Sequence, residues 1–286
     1  MTSSRIKLIE CPRDAMQGWK TFIPAETKIA YINSLLQVGF DTIDFGSFVS
    51  PKAIPQMADT HEVLKKLNLS NTDTKLLAIV ANVRGAEAAV ASDKIQYLGF
   101  PLSLSQTFQQ RNTNASIEAA LERITEIQAL CLKSGKVLVV YLSMGFGNPY
   151  GDAYNDELVF HYAEQLAKRG ITIISLADTV GIATPEQVHA LTGYLIKALP
   201  HIEIGVHLHA TAMAWREKID AAYTAGCIRF DGALKGIGGC PMANSDLVGN
   251  MNTEWLLRYF KEKEPALYMD DAALEKSLSL AEQIFV

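Results

Sequence analysis

Cysteine is scarce in this 286-residue chain, and its four copies do not pair by spacing: Cys11, Cys131, Cys227 and Cys240 lie far apart, with no C-x-x-C among them. That distribution argues against a zinc knuckle or a disulfide framework and suits reduced thiols in a cytosol. Long apolar runs are missing as well. No stretch approaches the ~18 residues of a membrane span, and the opening Met-Thr-Ser-Ser-Arg-Ile-Lys lacks the apolar core of a signal peptide. A cytoplasmic protein with no membrane partner is the expectation. Positive charge is not massed either: 26 Lys and Arg stand against 31 Asp and Glu, for a formal net charge of −5. No nucleic-acid partner is therefore expected, although one local basic patch could still hold a phosphate. Low-complexity segments and long linkers are also absent, so residues 1–286 are expected to form one domain.

What the chain does have is a steady alternation. Short β-branched and aliphatic runs occupy residues 6–11, 42–46, 76–80, 97–102, 137–143, 172–177, 203–209 and 229–234. Amphipathic helical patterns lie between them, over 25–38, 117–133, 157–169, 186–199 and 212–225. Near-continuous apolar strands alternating with helices mark a parallel sheet covered on its faces. Eight such units favour closure, and a dinucleotide-binding open sheet would show G-x-G-x-x-G where this chain has Cys11-Pro12-Arg13-Asp14. The expected fold is α/β, a single (β/α)8 TIM barrel with a short C-terminal helical extension. Thr184-Pro185 and Ile23-Pro24 stand where helices should begin, and Gly170 and Gly226 follow helix ends.

In such a barrel the chemistry sits at the C-terminal ends of the strands. The seventh run ends in Val206-His207-Leu208-His209, and residues two apart in a strand share a face, so both imidazoles can project into the mouth as half of a divalent metal site. The first run delivers Arg13, able to neutralise charge on a substrate oxygen, and Asp14, an anionic metal ligand candidate. The eighth leads into Gly236-Ile237-Gly238-Gly239-Cys240-Pro241, a loop able to approach a ligand closely with a thiol at its tip. Further on, Asn250 could add an amide oxygen. Each feature has a plainer reading: a structural histidine, a surface ion pair, an inert buried cysteine. Their shared placement at strand ends favours the site. An oxygen-rich shell with two nitrogens favours Mg2+ or Mn2+ over Zn2+ or Co2+.

These segments resemble the hydroxymethylglutaryl-CoA lyase family of metal-dependent barrels. The resemblance spans nearly the whole chain and is carried by Pro12-Arg13-Asp14, Ser47-Phe48-Val49-Ser50-Pro51-Lys52 through Pro55-Gln56-Met57, Ala177-Asp178-Thr179-Val180-Gly181, Val206-His207-Leu208-His209, Gly238-Gly239-Cys240-Pro241, Gly249-Asn250 and Thr253-Glu254. It implies retro-Claisen cleavage of 3-hydroxy-3-methylglutaryl-CoA to acetyl-CoA and acetoacetate. The implied metal ligands are Asp14, His207, His209 and Asn250, and the implied catalytic residues Arg13, Cys240, Asp44 and His207. Substrate contacts would come from Gln17, Lys20, Ser47, Asp178 and Thr179, with Lys20, Lys52 and Arg84 as candidates for CoA phosphates. The resemblance also allows a homodimer.

The family pattern is broken in places. Asp44 stands where a glutamate is usual, Ala210-Thr211 where Asp-Thr is usual, and Met213 and Lys218 where glycine and asparagine are common. Ala15 replaces a glycine, and Glu10-Cys11-Pro12 is one residue short of the usual turn. These departures keep three rivals in view: a lyase for another 3-hydroxyacyl-CoA, a citramalate- or isopropylmalate-type synthase, and a barrel that has lost catalysis. The synthases usually carry a further C-terminal region, for which the sequence after the eighth unit leaves little length; a lyase is the expectation.

Overall fold

Eight parallel strands close into a barrel in chain order, with β1 hydrogen-bonded to both β2 and β8. The structure is a computed structural model and describes residues 6–239 and 248–286. The strands are β1 (Lys7–Glu10), β2 (Thr42–Ser47), β3 (Lys75–Ile79), β4 (Ile95–Ser103), β5 (Val137–Ser143), β6 (Ile173–Ala177), β7 (Glu203–His207) and β8 (Arg229–Gly232). The helices are α1 (Pro12–Gln17), α2 (Ala25–Leu35), α3 (Thr60–Lys66), α4 (Val83–Val90), α5 (Gln106–Thr113), α6 (Ile117–Lys133), α7 (Asp156–Lys168), α8 (Pro185–Ala198), α9 (Trp215–Thr224), α10 (Thr253–Lys263) and α11 (Asp271–Ile284). Together they form the expected TIM barrel, and none is long and apolar enough to cross a membrane among the described residues.

The period-two alternation of each strand splits the core in two. One set of side chains packs outward under the helices, in a continuous cluster that includes Phe45, Leu98, Ile174 and Phe230. The other fills the bore with Leu77, Ile79, Val139, Tyr141 and Ile173. Register places Tyr141, Ser175, Gly205 and Arg229 in one row around the bore. Gly205 has a steric reason to be there: a Cβ would stand 2.9 Å from Arg229 Cδ, so the fully buried arginine lies across the space a side chain would fill.

Helix punctuation follows local chemistry. Thr184 caps α8 with its side chain while Gln187 returns the bond in a capping box, and Gly170 and Gly226 take positive φ just past α7 and α9. Several segments depart from the sequence reading, among them the seventh strand, which stops at His207 instead of residue 209. The Pro12–Gln17 stretch, which is outside the helical patterns read from the sequence, is a helical turn begun by proline at its first position. Helix α9 starts at Trp215 instead of residue 212, because Thr211–Ala214 make a turn, with the Ala214 N–H donating to Thr211. The C-terminal extension is α10 and α11; α11 rests on α2, with Ser277 Oγ 2.9 Å from Ser34 Oγ.

Glu10 ties β1 to the segment after β8. It is fully buried and accepts from the Leu234 N–H at 2.9 Å and the Thr253 hydroxyl at 2.6 Å. Burial pushes its carboxyl up to about 8, against the pull of those two donors. Below about pH 4.5 the group is protonated folded or unfolded. As pH rises from there the unfolded chain ionises first, so this contribution to stability falls until about pH 8. The melting temperature of the native chain is therefore expected to drop between pH 5 and 8 relative to Glu10→Gln, by about 2–4 °C per kcal/mol lost. Parallel melting curves across that range would remove Glu10 from the account.

Candidate active site

The mouth of the barrel opens on a cavity of about 430 Å³ with two characters. Its polar end is formed by Arg13, Asp14, Gln17, Asp44, His207 and His209. Its apolar wall comes from Val49, Ile54, Ile79, Phe108 and Tyr141, with Thr179 also lining it.

Helix α1 is the reason three polar side chains reach the same place. Arg13 and Asp14 lie in its first turn and Gln17 one turn on, so Asp14 Oδ1 accepts from Arg13 Nη1 at 2.9 Å and from Gln17 Nε2 at 2.7 Å. Arg13 is gripped from β2: Asp44 Oδ1 accepts from Nε at 3.2 Å and Asp44 Oδ2 from Nη2 at 2.5 Å. The shorter acid thus still makes a forked pair with the guanidinium, and the pair is buried. Burial pushes Asp44 up to about 6 while Arg13 pulls the other way. Burial also opposes charge on Arg13 and on Asp14. Asp44 and Asp14 nevertheless hold the guanidinium well above its ordinary value, and Arg13, His207 and the Asn250 amide hold Asp14 below the usual carboxylate range.

The two histidines enter differently. His207 is the last residue of β7, whereas His209 lies beyond the strand in an isolated antiparallel bridge with Asn250. Their ring centroids are 5.4 Å apart. His207 Nδ1 faces Asp231 Oδ2 at 3.2 Å, and His209 Nδ1 faces the Val248 carbonyl at 2.8 Å. Carboxylate and carbonyl oxygens only accept, so both Nδ1 atoms carry hydrogen and both Nε2 atoms keep a lone pair when the rings are neutral. Burial lowers the affinity of both rings for a second proton. At His207 burial is the largest single influence, but the bond to Asp231 and the charges of Asp231 and Asp14 together outweigh it and the ring sits above its ordinary value; at His209 burial and the neighbouring His207 win, and it sits below.

Asn250 closes the site. Its Nδ2 donates to Asp14 Oδ2 at 2.8 Å and to the Ile237 carbonyl at 2.9 Å, and its buried Oδ1 has no hydrogen-bond partner among the described residues. A buried amide oxygen with no donor is costly unless something electropositive meets it. Gly238 and Gly239, both at positive φ, bring the backbone hard against this corner. A Cβ on Gly238 would stand 2.7 Å from Asn250 Nδ2, and one on Gly239 3.4 Å from His209 Cε1. Cys240 comes next in sequence and lies outside the described residues.

Other residues expected at the site are not among those that line the cavity. Ser47 is buried and accepts from the Val49 N–H, and Asp178 is buried against Lys218 and the Ala183 N–H. Lys20, Lys52 and Arg84 are exposed and line none of it. Three contributors went unread in the sequence. Asp231 orients His207 and had one signal, an acid inside the apolar run Arg229-Phe230-Asp231. Cys11 lines the cavity, and its thiol, His207 and Asp231 bring three donor atoms within 4.8 Å of one another that could hold a metal ion. Arg111, exposed on α5 over the Tyr150 ring at 4.9 Å, adds a second cation to the lining.

A closed parallel barrel with acids, imidazoles and an arginine gathered at the strand ends defines a (β/α)8-barrel enzyme. The HMGL-like family model matches residues 5–281. The 3-hydroxy-3-methylglutaryl-CoA lyase, cytoplasmic, of Danio rerio is 34% identical over 253 residues, covering 88% of this chain and 75% of that protein. A hydroxymethylglutaryl-CoA lyase of Bacillus subtilis is 33% identical over 273 residues, covering 96% of this chain and 89% of its own. The solved HMG-CoA lyase of Acinetobacter baumannii, in complex with coenzyme A and 3-methylmalate, superposes with a TM-score of 0.88 at 33% identity, covering 97% of this chain and 91% of that one. The chain belongs to the HMGL-like family and is a lyase of that kind.

Proposed function

We propose that this protein uses a divalent cation, Mg2+ or Mn2+, to cleave 3-hydroxy-3-methylglutaryl-CoA into acetyl-CoA and acetoacetate. One observation carries the reading: Asp14, His207 and His209 converge on one cavity, with the Asn250 amide bonded to Asp14 and its buried oxygen lacking a donor among the described residues. These four side chains would hold the cation, offering two imidazole nitrogens, a carboxylate and an amide oxygen. The trio of Cys11, His207 and Asp231 suits it less well. Burial and the carboxylates of Asp231, Asp44 and Asp14 push the Cys11 thiol well up, and Asp231 is already engaged in orienting His207.

When bound, the cation supplies Lewis acidity to the substrate's 3-hydroxyl and carbonyl oxygens. The chain's residues account for the rest. Loss of the hydroxyl proton lets the C2–C3 bond break, the new carbonyl forming at C3 while the electron pair moves to C2 and onto the thioester oxygen. Arg13, fixed by Asp44 and Asp14, presents its positive charge to that oxygen without having to reorganise. C2 then takes a proton, a role we give to the thiol of Cys240, with Gly238 and Gly239 holding the preceding backbone beside Asp14 and His209. Gln17 steadies Asp14, and Thr179 faces the acyl group from the lining. Arg111 offers a cation to an anionic part of the substrate. The Acinetobacter structure, with coenzyme A in place, fits a thioester substrate.

A panel of substrates tests the assignment. Turnover is expected to be fastest with 3-hydroxy-3-methylglutaryl-CoA, slower with a longer 3-branched analogue, and undetectable as condensation of acetyl-CoA with a 2-oxo acid. Preference for the longer thioester would move the assignment to another acyl group, and net condensation would replace the lyase with a synthase.

A further inference from the structure

Lys218, on α9, is among the most deeply buried charges in the protein, and everything it touches leads back to the strand ends that form the mouth. Its side chain is about 5% exposed, and its ammonium is fully engaged. It donates to Asp178 Oδ2 at 2.8 Å, to the His209 carbonyl at 2.8 Å and to the Gly181 carbonyl at 3.2 Å. An ammonium has three hydrogens, and all three are used. Asp178 is equally occupied: Oδ1 accepts from the Ala183 N–H at 3.0 Å, and its own backbone N–H donates to the His207 carbonyl at 3.0 Å.

Carbonyls of both histidines are thus tied into one buried knot, His209 directly by Lys218 and His207 by the backbone of Lys218's ion-pair partner. The knot matters because β7 ends at His207. Beyond that point the strand ladder no longer holds the chain, and among the described residues His209 is tied, besides the Lys218 contact, by the bridge to Asn250 and its own ring bond to Val248. The same knot fixes the turn after β6, whose Thr179 lines the cavity and accepts from the Met144 N–H at 2.8 Å.

We propose that Lys218 is a positioning residue for the metal centre: by holding the His209 carbonyl against Asp178 and Gly181, it sets where the His209 imidazole is presented. The proposal rests on the metal-centre reading above. It commits a specific residue, remote from substrate, to an effect on metal affinity, whereas a buried ion pair serving stability alone would leave that affinity untouched once the protein is folded.

The test is Mn2+ binding to the purified full chain, followed by electron paramagnetic resonance titration alongside circular dichroism and thermal melts. Lys218→Met leaves Asp178 unpaired and can cost the fold, so the informative variant is Asp178→Asn/Lys218→Met, which removes both charges together. Folded, it is expected to bind Mn2+ about 10–100-fold more weakly than the native chain, the range seen when a residue behind a metal ligand is lost. Asp178→Asn/Lys218→Gln keeps an N–H donor for the His209 carbonyl and is expected to recover most of that loss. Native Mn2+ affinity in the folded Met double variant would overturn the proposal and leave Lys218 a stabilising residue only. Failure of the native chain itself to bind Mn2+ would instead overturn the metal-centre reading and the proposal with it.

Discussion

Arg13→Met is expected to lower kcat by about 10²–10³-fold or more, the scale seen when a donor to a developing oxyanion is removed. The guanidinium lines the cavity and is held on two sides, by Asp44 through Nε and Nη2 and by Asp14 through Nη1. Such clamping is what lets a charge act on a transition state without first being oriented. The substitution has a second effect that must be separated from the first. Asp44 is only 1% exposed, and stranding it without its partner costs about 3–5 kcal/mol of stability. Arg13→Met/Asp44→Leu removes both charges and is expected to restore much of the stability while leaving turnover as low as in the single variant. Arg13→Lys keeps the charge but cannot match the forked contact with Asp44, so it too is expected to stay slow. Thermal melts and steady-state kinetics on the three variants read both quantities. Recovery of turnover in the double variant would reduce Arg13 to a structural role.

His207→Ala is expected to lose metal and turnover together, by more than the ~10–100-fold typical of residues behind a ligand. His207 sits at the end of β7 and lines the cavity with its Nδ1 turned to Asp231, which leaves its Nε2 as the nitrogen for a cation, and alanine offers no nitrogen in its place. Cys240→Ser provides the contrast, with turnover largely lost while metal content stays near native, since a thiol that delivers a proton need not touch the metal. Metal analysis of the two proteins beside their activities checks the pair. Normal metal content in His207→Ala would place the cation elsewhere, with Cys11 and Asp231 no longer able to recruit His207 and so also excluded. Full activity in Cys240→Ser would remove the thiol from the mechanism.

Much of this architecture was legible in the residues because it rests on periodicity. Runs buried on both faces read as apolar throughout, and α6 and β5 begin and end at the expected residues, 117–133 and 137–143. What resisted was local geometry that no period encodes. The Pro12–Gln17 turn is absent from the helical patterns because six residues are too few to show a helical face, although proline at its start is the available signal. His207 and His209 were expected on one strand. The chain leaves the ladder between them, because Leu208 gives its carbonyl to Met251 and the loop from β8 crosses at that point. Asp231 and Lys218 depend on partners 24 and 40 residues away, His207 and Asp178, and separations of that kind carry no sequence signal. Asp44 stands where a glutamate is usual, and the shorter acid still reaches Arg13 in a forked contact. Ser47, Asp178 and Lys20 were grouped with the substrate by resemblance, whereas their contacts are to the scaffold and to solvent.

The function proposed for the barrel mouth is a metal-assisted carbon–carbon cleavage. The measurement that meets it most directly is product formation from 3-hydroxy-3-methylglutaryl-CoA, with and without a chelator, followed by added Mn2+ or Mg2+. The account predicts acetyl-CoA and acetoacetate in equal amounts, no release after chelation, and recovery on adding the cation back. Cleavage that persists in the chelated, metal-free protein would contradict it, as would a folded, metal-loaded protein that releases neither product.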